Sequence, residues 1–375
     1  MGTAMKTVNI NVVGDPHGDV PILLTDSGSS YLAAMGGGKA VFSLPDSASG
    51  GATITYAAST RFLRVIVPPS PGTWEADLPP VKPPEATEPI VLYYADTDSP
   101  LPWTKGRLSL ASDCFVDASG RKVALGLSSD FRAFQRFLHG EDLTALTQQR
   151  KAAGSQGPRV FGTCVNLFPL DPRDFGDYYD GLRRYARWLA GQGEWLHFTA
   201  CTDVQLLRSG FDVHGHWHAC CDVLADEPNV VVCELVNEWF KNGVDPKAFS
   251  KPAKAPIVSC GSFVDGQFAP AGWGDVLDFH PSRNPDKWDV TVPQTVEEIR
   301  AHDGPRPVWI GEPMGAAAAP RGDRSTDVAR FERLGVACGV FAAGGVFHSD
   351  AGCQSVLWSD VEQRCAEGFF RGIHR

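Results

Sequence analysis

Val232-Cys-Glu-Leu-Val-Asn-Glu-Trp239 and Pro307-Val-Trp-Ile-Gly-Glu-Pro313 are two apolar runs that each end in a glutamate, Glu238 in the first and Glu312 in the second. A strand that is hydrophobic along its length and then presents a carboxylate is how a β/α barrel builds its site at the C-terminal face. Glu234, four residues before Glu238, lies on the same face of the first run by strand alternation and reads as a deeper core carboxylate paired with an arginine.

From about residue 108 onward, strand-like and helix-like patterns alternate. Strands are expected at Val123–Leu127, Val160–Leu167, Leu196–Cys201, Val230–Val236, Ile257–Gly261, Val276–Phe279, Val308–Ile310 and Gly345–Phe347. The clearest helical patterns are Tyr178–Ala190, Val296–Ala301, Asp327–Cys338 and Val361–Phe370. Eight strands in order, each followed by a helix or long loop, specify a (β/α)8 TIM barrel of the α/β class. No Gly-rich loop of the kind that opens a doubly wound sheet follows the first strand.

The first 67 residues read differently. Short alternating segments at Val8–Val13, Ile22–Thr25, Ala40–Leu44, Thr53–Ala57 and Phe62–Val67 are broken by Gly, Pro, Asp and Ser, as in a small β-sandwich. Gly38 to Pro45 weakly resembles immunoglobulin-like or carboxypeptidase-regulatory-like modules. Residues 68–89 hold eight prolines and read as an extended linker, so that the catalytic region spans residues 90–375 with a connecting segment at its start.

Composition bounds the partners. The chain has 375 residues, is 43% hydrophobic and carries a formal charge of −10 without clustered Lys or Arg, which argues against nucleic acid. No apolar stretch reaches membrane-span length, so no membrane association is expected. The N-terminus lacks an apolar signal core; a cytoplasmic location, or release by another route such as assembly into a particle, is expected. The ten cysteines lie mostly in core strands or side by side, and read as reduced thiols. Oligomeric state does not follow from the sequence.

From Phe115 onward the chain resembles the clan A glycoside hydrolases, retaining (β/α)8 enzymes. The resemblance opens at Phe115-Val-Asp-Ala-Ser-Gly-Arg-Lys-Val-Ala-Leu-Gly-Leu127 and rests above all on Asn237-Glu238 at the end of the fourth expected strand and Glu312 at the end of the seventh. It implies that Glu238 is the acid/base and Glu312 the nucleophile, with Asn237 bonding a sugar 2-hydroxyl. The chain departs from the clan where His280-Pro-Ser-Arg283 lacks a tyrosine and Phe347-His-Ser-Asp350 lacks a tryptophan. Arg132 is the candidate for the clan's arginine near the first strands.

On the residues themselves, two carboxyls that work with retention need a separation of about 5–5.5 Å, one protonated and one ionised. The apolar neighbours Val236 and Trp239 are expected to raise the pKa of Glu238. His280, Arg283, His348 and Asp350 sit where they would meet a ligand in the cleft. Trp217, Trp239, Trp273 and Trp288 are expected on loops at the strand ends, where indole faces stack on sugars. Ser128, Ser129, Asp171 and Asp203 also fall near strand ends without a specific signal. Each aromatic and each histidine is equally at home as packing.

The reading is a retaining β-glycosidase that needs no cofactor or metal. Two rivals stand beside it. One is a carbohydrate-binding or structural barrel that has lost turnover, favoured if the glutamates are buried apart or paired with arginines. The other is a metal-dependent hydrolase centred on His214, His216 and His218.

Overall fold

The computed structural model describes residues 103–263, 269–270, 272–281, 288–313, 315–316 and 325–375, less the side chains at 263, 288–291 and 303, and the backbone of seven strands between residues 5 and 78. It divides into two units, Met1–Leu92 and Tyr93–Arg375. In the first unit, Lys39–Pro45, Met5–Val12 and Thr73–Leu78 form one sheet in that order. Ser29–Ala34, Pro21–Asp26, Gly50–Tyr56 and Ser59–Val67 form a second. The side chains that would make a sandwich core lie outside the described residues, as do residues 79–102.

One expectation is corrected here. Thr73–Leu78 lies within the proline-rich stretch read as a linker, yet pairs in parallel with the first strand, from Thr7 opposite Thr73 to Val12 opposite Leu78. The interval between Pro71 and Pro79 contains no proline, so each of its residues keeps the N–H that a ladder requires.

The second unit is an eight-stranded parallel barrel. Its strands are β1 (Leu125–Ser129), β2 (Pro158–Phe161), β3 (Leu196–Cys201), β4 (Val230–Val236), β5 (Val258–Phe263), β6 (Val276–His280), β7 (Val308–Ile310) and β8 (Gly344–Ser349). Each pairs with the next, and β8 returns to β1 from Leu125 opposite Gly344 to Ser128 opposite Phe347, which closes the ring. Closure removes every sheet edge.

Helices α1 (Ala133–Leu138) and α2 (Thr144–Ala152) follow β1, α3 (Tyr178–Gly191) follows β2 and α4 (Val213–Leu224) follows β3. After β6 comes α5 (Trp288–Asp303), after β7 α6 (Val328–Phe341), and after β8 α7 (Asp350–Gln354) and α8 (Asp360–Ile373). The periodicity explains the layering. In α3 the buried Tyr178, Leu182, Tyr185, Ala186 and Leu189 recur at helical spacing and face the barrel. Helix α8 begins at a capping box in which Ser359 and Glu362 satisfy each other's backbone N–H groups.

The floor of the barrel is closed by a small antiparallel sheet of Ser109–Ala111, Cys114–Val116 and Lys122–Val123. Its Phe115 is fully buried and meets the edge of Trp309 of β7 at 6.0 Å between ring centres. Leu125, Leu127, Val232, Val276 and Val346 join them in one apolar cluster. Water is therefore excluded from below, and the polar chemistry is confined to the other end. All ten cysteines are free thiols.

Candidate active site

Above the apolar floor the barrel interior turns polar. Arg159 of β2, His197 and Thr199 of β3, Glu234 of β4, and Asp278 and His280 of β6 are all fully buried. In β6 the pairs Asp278/His280 and Leu277/Phe279 alternate, and strand geometry sends them to opposite faces of the sheet. Such groups persist in a core only when they satisfy one another.

Arg159 is the hub. Its Nε and Nη2 donate to Glu234 Oε2 at 3.2 and 2.9 Å, Nη1 donates to Glu312 Oε1 at 2.7 Å, and Nη2 donates to Asn237 Oδ1 at 2.8 Å. Thr199 Oγ1 donates to Glu234 Oε2 at 2.5 Å, and His197 Nε2 lies 3.1 Å from the same oxygen. Glu234 is thus the core carboxylate paired with an arginine that the sequence suggests. Burial alone would raise its pKa, but Arg159 and His197 hold it down at about 2. Burial lowers His197 to about 4 against the pull of Glu234. For Arg159, the charges of Glu234, Glu312 and Asp278 outweigh burial and raise its pKa.

The carboxylates at the rim stand on turns. Glu238 has φ of +40°, left-handed backbone that a side-chain-bearing residue rarely adopts. Asn242 holds this turn: its Nδ2 donates to Asn237 O at 2.5 Å and to Glu238 O at 3.4 Å, while its Oδ1 accepts from Asp203 N at 2.8 Å. Asp203 in turn accepts from the backbone N–H groups of Val165 and Asn166. Gly261 of β5 makes space beneath, since a Cβ there would overlap Glu234 Oε1.

Glu238, His280 and Glu312 converge, with one oxygen or nitrogen from each lying within 4.8 Å of the others. His280 Nδ1 is 3.2 Å from Glu238 Oε1, and Lys241 Nζ is 2.5 Å from Glu238 Oε2. These contacts correct an expectation. Burial does push the Glu238 carboxyl upward, but hydrogen bonding and charge from His280, helped by Lys241, outweigh it and hold the group below its ordinary value. The cations that the fold brings to Glu238 outweigh its apolar neighbours in sequence.

Two groups are close enough to share an ion, His197/Glu234/Asp278 and Glu238/His280/Glu312. Their donor sets argue against one. In the first, Glu234 Oε2 already accepts from Arg159 and Thr199 and meets His197; in the second, Arg159 and Lys241 supply the positive charge.

The remaining expected residues divide. Asn237 and His280 join the glutamates, and Trp239 is half-buried beside them with its ring edge-on to Phe240. His348 is the last residue but one of β8, with its ring 5.6 Å from Phe131, and Asp350 opens α7. Arg283 and the Trp288 side chain lie outside the described residues; the Trp288 backbone begins α5.

Others move away from the site. Trp217 is a fully buried residue of α4 whose Nε1 donates to Ser250 O, so it is core and not cleft lining. Trp273 precedes β6, at the floor end of the barrel, and its carbonyl accepts from Arg306. His214, His216 and His218 share α4, where His214 and His218, four residues apart, lie on one exposed face and His216 points away from them into the core. His216 is buried against Ala200 O and Tyr179, while His214 stacks on Phe249 at 4.1 Å. They form no common metal site. Arg132 stands at the N-cap position of α1 without a capping side-chain bond, and its Nε donates to Gln135 Oε1, so the arginine that meets the glutamates is Arg159. An arginine and a histidine inside otherwise apolar strands, in Pro158-Arg-Val-Phe161 and Leu196-His-Phe198, were the available signal.

The fold and site together define a closed (β/α)8 barrel with a carboxylate pair at the C-terminal ends of strands four and seven. No protein-family model matches the sequence, nor does any curated protein. Among solved structures, the chain is similar to a GH2 β-galacturonidase from Eisenbergiella tayi bound to galacturonate, at 12% identity and a TM-score of 0.45, over 88% of this chain and 58% of that one. It is similar to a glycoside hydrolase family 5 protein from Bacteroides vulgatus at 13% identity and TM-score 0.48, over 68% of this chain and 64% of that one. For a β-glucanase from Saccharophagus degradans the values are 14%, 0.48, 70% and 91%. The chain spans less than two thirds of the first two of these proteins. At such distances the likeness carries no argument about chemistry, which rests on the residues.

Proposed function

We propose that the barrel is a retaining glycoside hydrolase acting on a β-linked oligo- or polysaccharide. The observation that carries this reading is the pair of carboxylates on strands four and seven, with one oxygen of Glu238 within 4.8 Å of one of Glu312. That approach is closer to the separation of about 5–5.5 Å used for direct attack on the anomeric carbon than to the roughly 6.5–9.5 Å that admits the water of inversion.

In this reading Glu312, ionised and held by Arg159, attacks the anomeric carbon. Glu238 gives its proton to the departing glycosidic oxygen. A covalent ester on Glu312 results. Glu238 then takes a proton from water, whose oxygen attacks the same carbon and releases Glu312. Asn237, positioned by Arg159, faces the same space and would bond the 2-hydroxyl, and Trp239 offers an aromatic face at the rim.

A binding barrel without turnover is the second reading. Its support is that Glu312 already has an arginine partner and Glu238 a lysine. A panel of aryl β-glycosides separates the two. Hydrolysis that starts with retained anomeric configuration, lost in Glu312→Ala and restored by azide as an α-glycosyl azide, supports the enzyme. Saturable glycan binding without any product supports the binding protein.

A further inference from the structure

Asp278 is a buried carboxyl that the proposed chemistry leaves unused. It is fully buried on β6, and among the described residues neither of its oxygens makes a hydrogen bond. Its Oδ1 lies 3.8 Å from His280 Nε2, itself buried and without a hydrogen-bond partner among the described residues, and its Oδ2 lies 3.5 Å from His197 Nε2. A carboxyl left unsatisfied in this way costs stability unless a proton or a function accounts for it. The space for it is built in. Gly311 of the β7 turn, next to Glu312, packs so closely that a Cβ there would overlap Asp278 Oδ1 and press on His280 Nε2.

The three groups lie in a row. Asp278 Oδ1 faces His280 Nε2, and the other ring nitrogen of His280 is 3.2 Å from Glu238 Oε1. We propose that Asp278 is a positioning residue for the acid/base, and that the proton Glu238 delivers is stored on the His280–Asp278 pair in the resting protein. This rests on the glycosidase reading of Glu238.

The proton count is the same in each state. At rest the proton lies on the pair, as an imidazolium beside ionised Asp278 or as a neutral imidazole beside protonated Asp278, and Glu238 is ionised. For catalysis the His280 Nδ1–H bond breaks and an O–H bond forms on Glu238; where the resting proton is on Asp278, its O–H bond breaks in the same step and an N–H bond forms on His280 Nε2. His280 is left neutral with its remaining proton on Nε2, directed at Asp278. The 3.8 Å separation shortens as that proton settles, as catalytic hydrogen bonds do when a site fills. This arrangement reconciles an ionised resting Glu238 with its role as an acid.

The surrounding charges agree. Arg159, His197, Glu234 and Glu312 face the pair from β2, β3, β4 and the β7 turn, and Glu238 and Lys241 complete the ring. Burial, with the charge of Glu234, pushes Asp278 up to about 7. His280 is also raised: burial opposes it, but Glu312 and Glu238 prevail.

The test is Asp278→Asn, which keeps the shape and removes the charge. Loss of that negative charge weakens the hold on the shared proton, so the alkaline limb of kcat/KM should fall by at least about one pH unit. Glycosides with poor leaving groups should lose about tenfold or more in kcat at neutral pH, while activated aryl glycosides change far less. A uniform loss for all leaving groups, with the limb unmoved, would overturn the proposal.

A second measurement needs neither the variant nor any activity. In wild-type protein labelled with carbon-13 at the aspartate carboxyls and nitrogen-15 in the histidine rings, either one aspartate carboxyl or the buried His280 ring should hold its proton to near neutral pH. If every aspartate titrates below about pH 5, as unperturbed ones do, and the His280 ring is already neutral at about pH 7, the relay is wrong even for an active enzyme. If the proton is found on the pair but no glycoside is cleaved, the glycosidase reading fails and the stored proton stands.

Discussion

Arg159 Nη1 lies 2.7 Å from Glu312 Oε1, and the same guanidinium reaches Asn237 at 2.8 Å, so one buried cation ties the strand-seven carboxylate to the strand-four turn. It is buried on a strand, so its position is set by the β2 ladder and not by a loop. Replacing it by methionine leaves Glu234 and Glu312 buried without their shared partner. A loss of about 3–5 kcal/mol is expected, read in urea unfolding of the variant. A loss below about 1 kcal/mol would mean that the pair is far better solvated than its burial implies.

Lys241 is half-exposed and sits 2.5 Å from Glu238 Oε2. Lys241→Met removes a cation that helps to keep Glu238 low, so its carboxyl pKa should rise and the alkaline limb of kcat/KM should move to higher pH. High salt should give wild-type protein part of the same displacement by screening. A limb that is unmoved in both experiments would show that the contact does not act on the acid/base.

Asn242 braces the strained turn under Glu238. Asn242→Ala should free that backbone and displace the carboxyl. We expect kcat to fall by about a hundredfold with a modest change in KM, the scale of a roughly 1 Å misplacement. Stability should fall by only about 1–3 kcal/mol. Unchanged kcat would place the turn's geometry under other control.

Glu194, far from the glutamate pair, offers a pH test of the packing. It is almost fully buried, its Oε1 has no hydrogen-bond partner among the described residues, and burial aided by Asp130 raises it to about 8. The folded state therefore binds its proton more tightly than the unfolded state, so stability falls as pH rises from about 4.5 to 8. Glu194→Gln should flatten that slope. Calorimetry should find a gain of at least about 1 kcal/mol at pH 8.5 and little change at pH 5, each pKa unit being worth about 1.4 kcal/mol. A gain equal at both values would contradict the assigned pKa.

Much of the barrel is legible in the chain because its signals are local. Val230–Val236 is an unbroken apolar run apart from one glutamate, and the helical spacing of Tyr178–Gly191 persists for three turns. The Asn237-Glu238 turn and Glu312 are visible for the same reason, as each terminates its strand. What the sequence conceals is the third dimension. Arg159 is far from Glu312 in the chain and meets it only once the barrel closes. The downward pull on Glu238 comes largely from His280, on another strand, so neighbours in sequence misjudge it. The histidines of α4 look like one cluster along the chain, but helical rotation turns His216 into the core, away from His214 and His218. Thr73–Leu78 is masked by the prolines on either side of it.

The central claim is that Glu312 becomes covalently attached to sugar while Glu238 handles the proton. Its most direct test is incubation with a panel of activated 2-deoxy-2-fluoro β-glycosides, which slow release of a glycosyl ester, followed by peptide mass spectrometry. The account predicts one sugar per chain, on the peptide that carries Glu312, with label abolished in Glu312→Gln and turnover lost in step with labelling. Label on Glu238 instead, or glycoside hydrolysis that continues with Glu312 replaced, would contradict it.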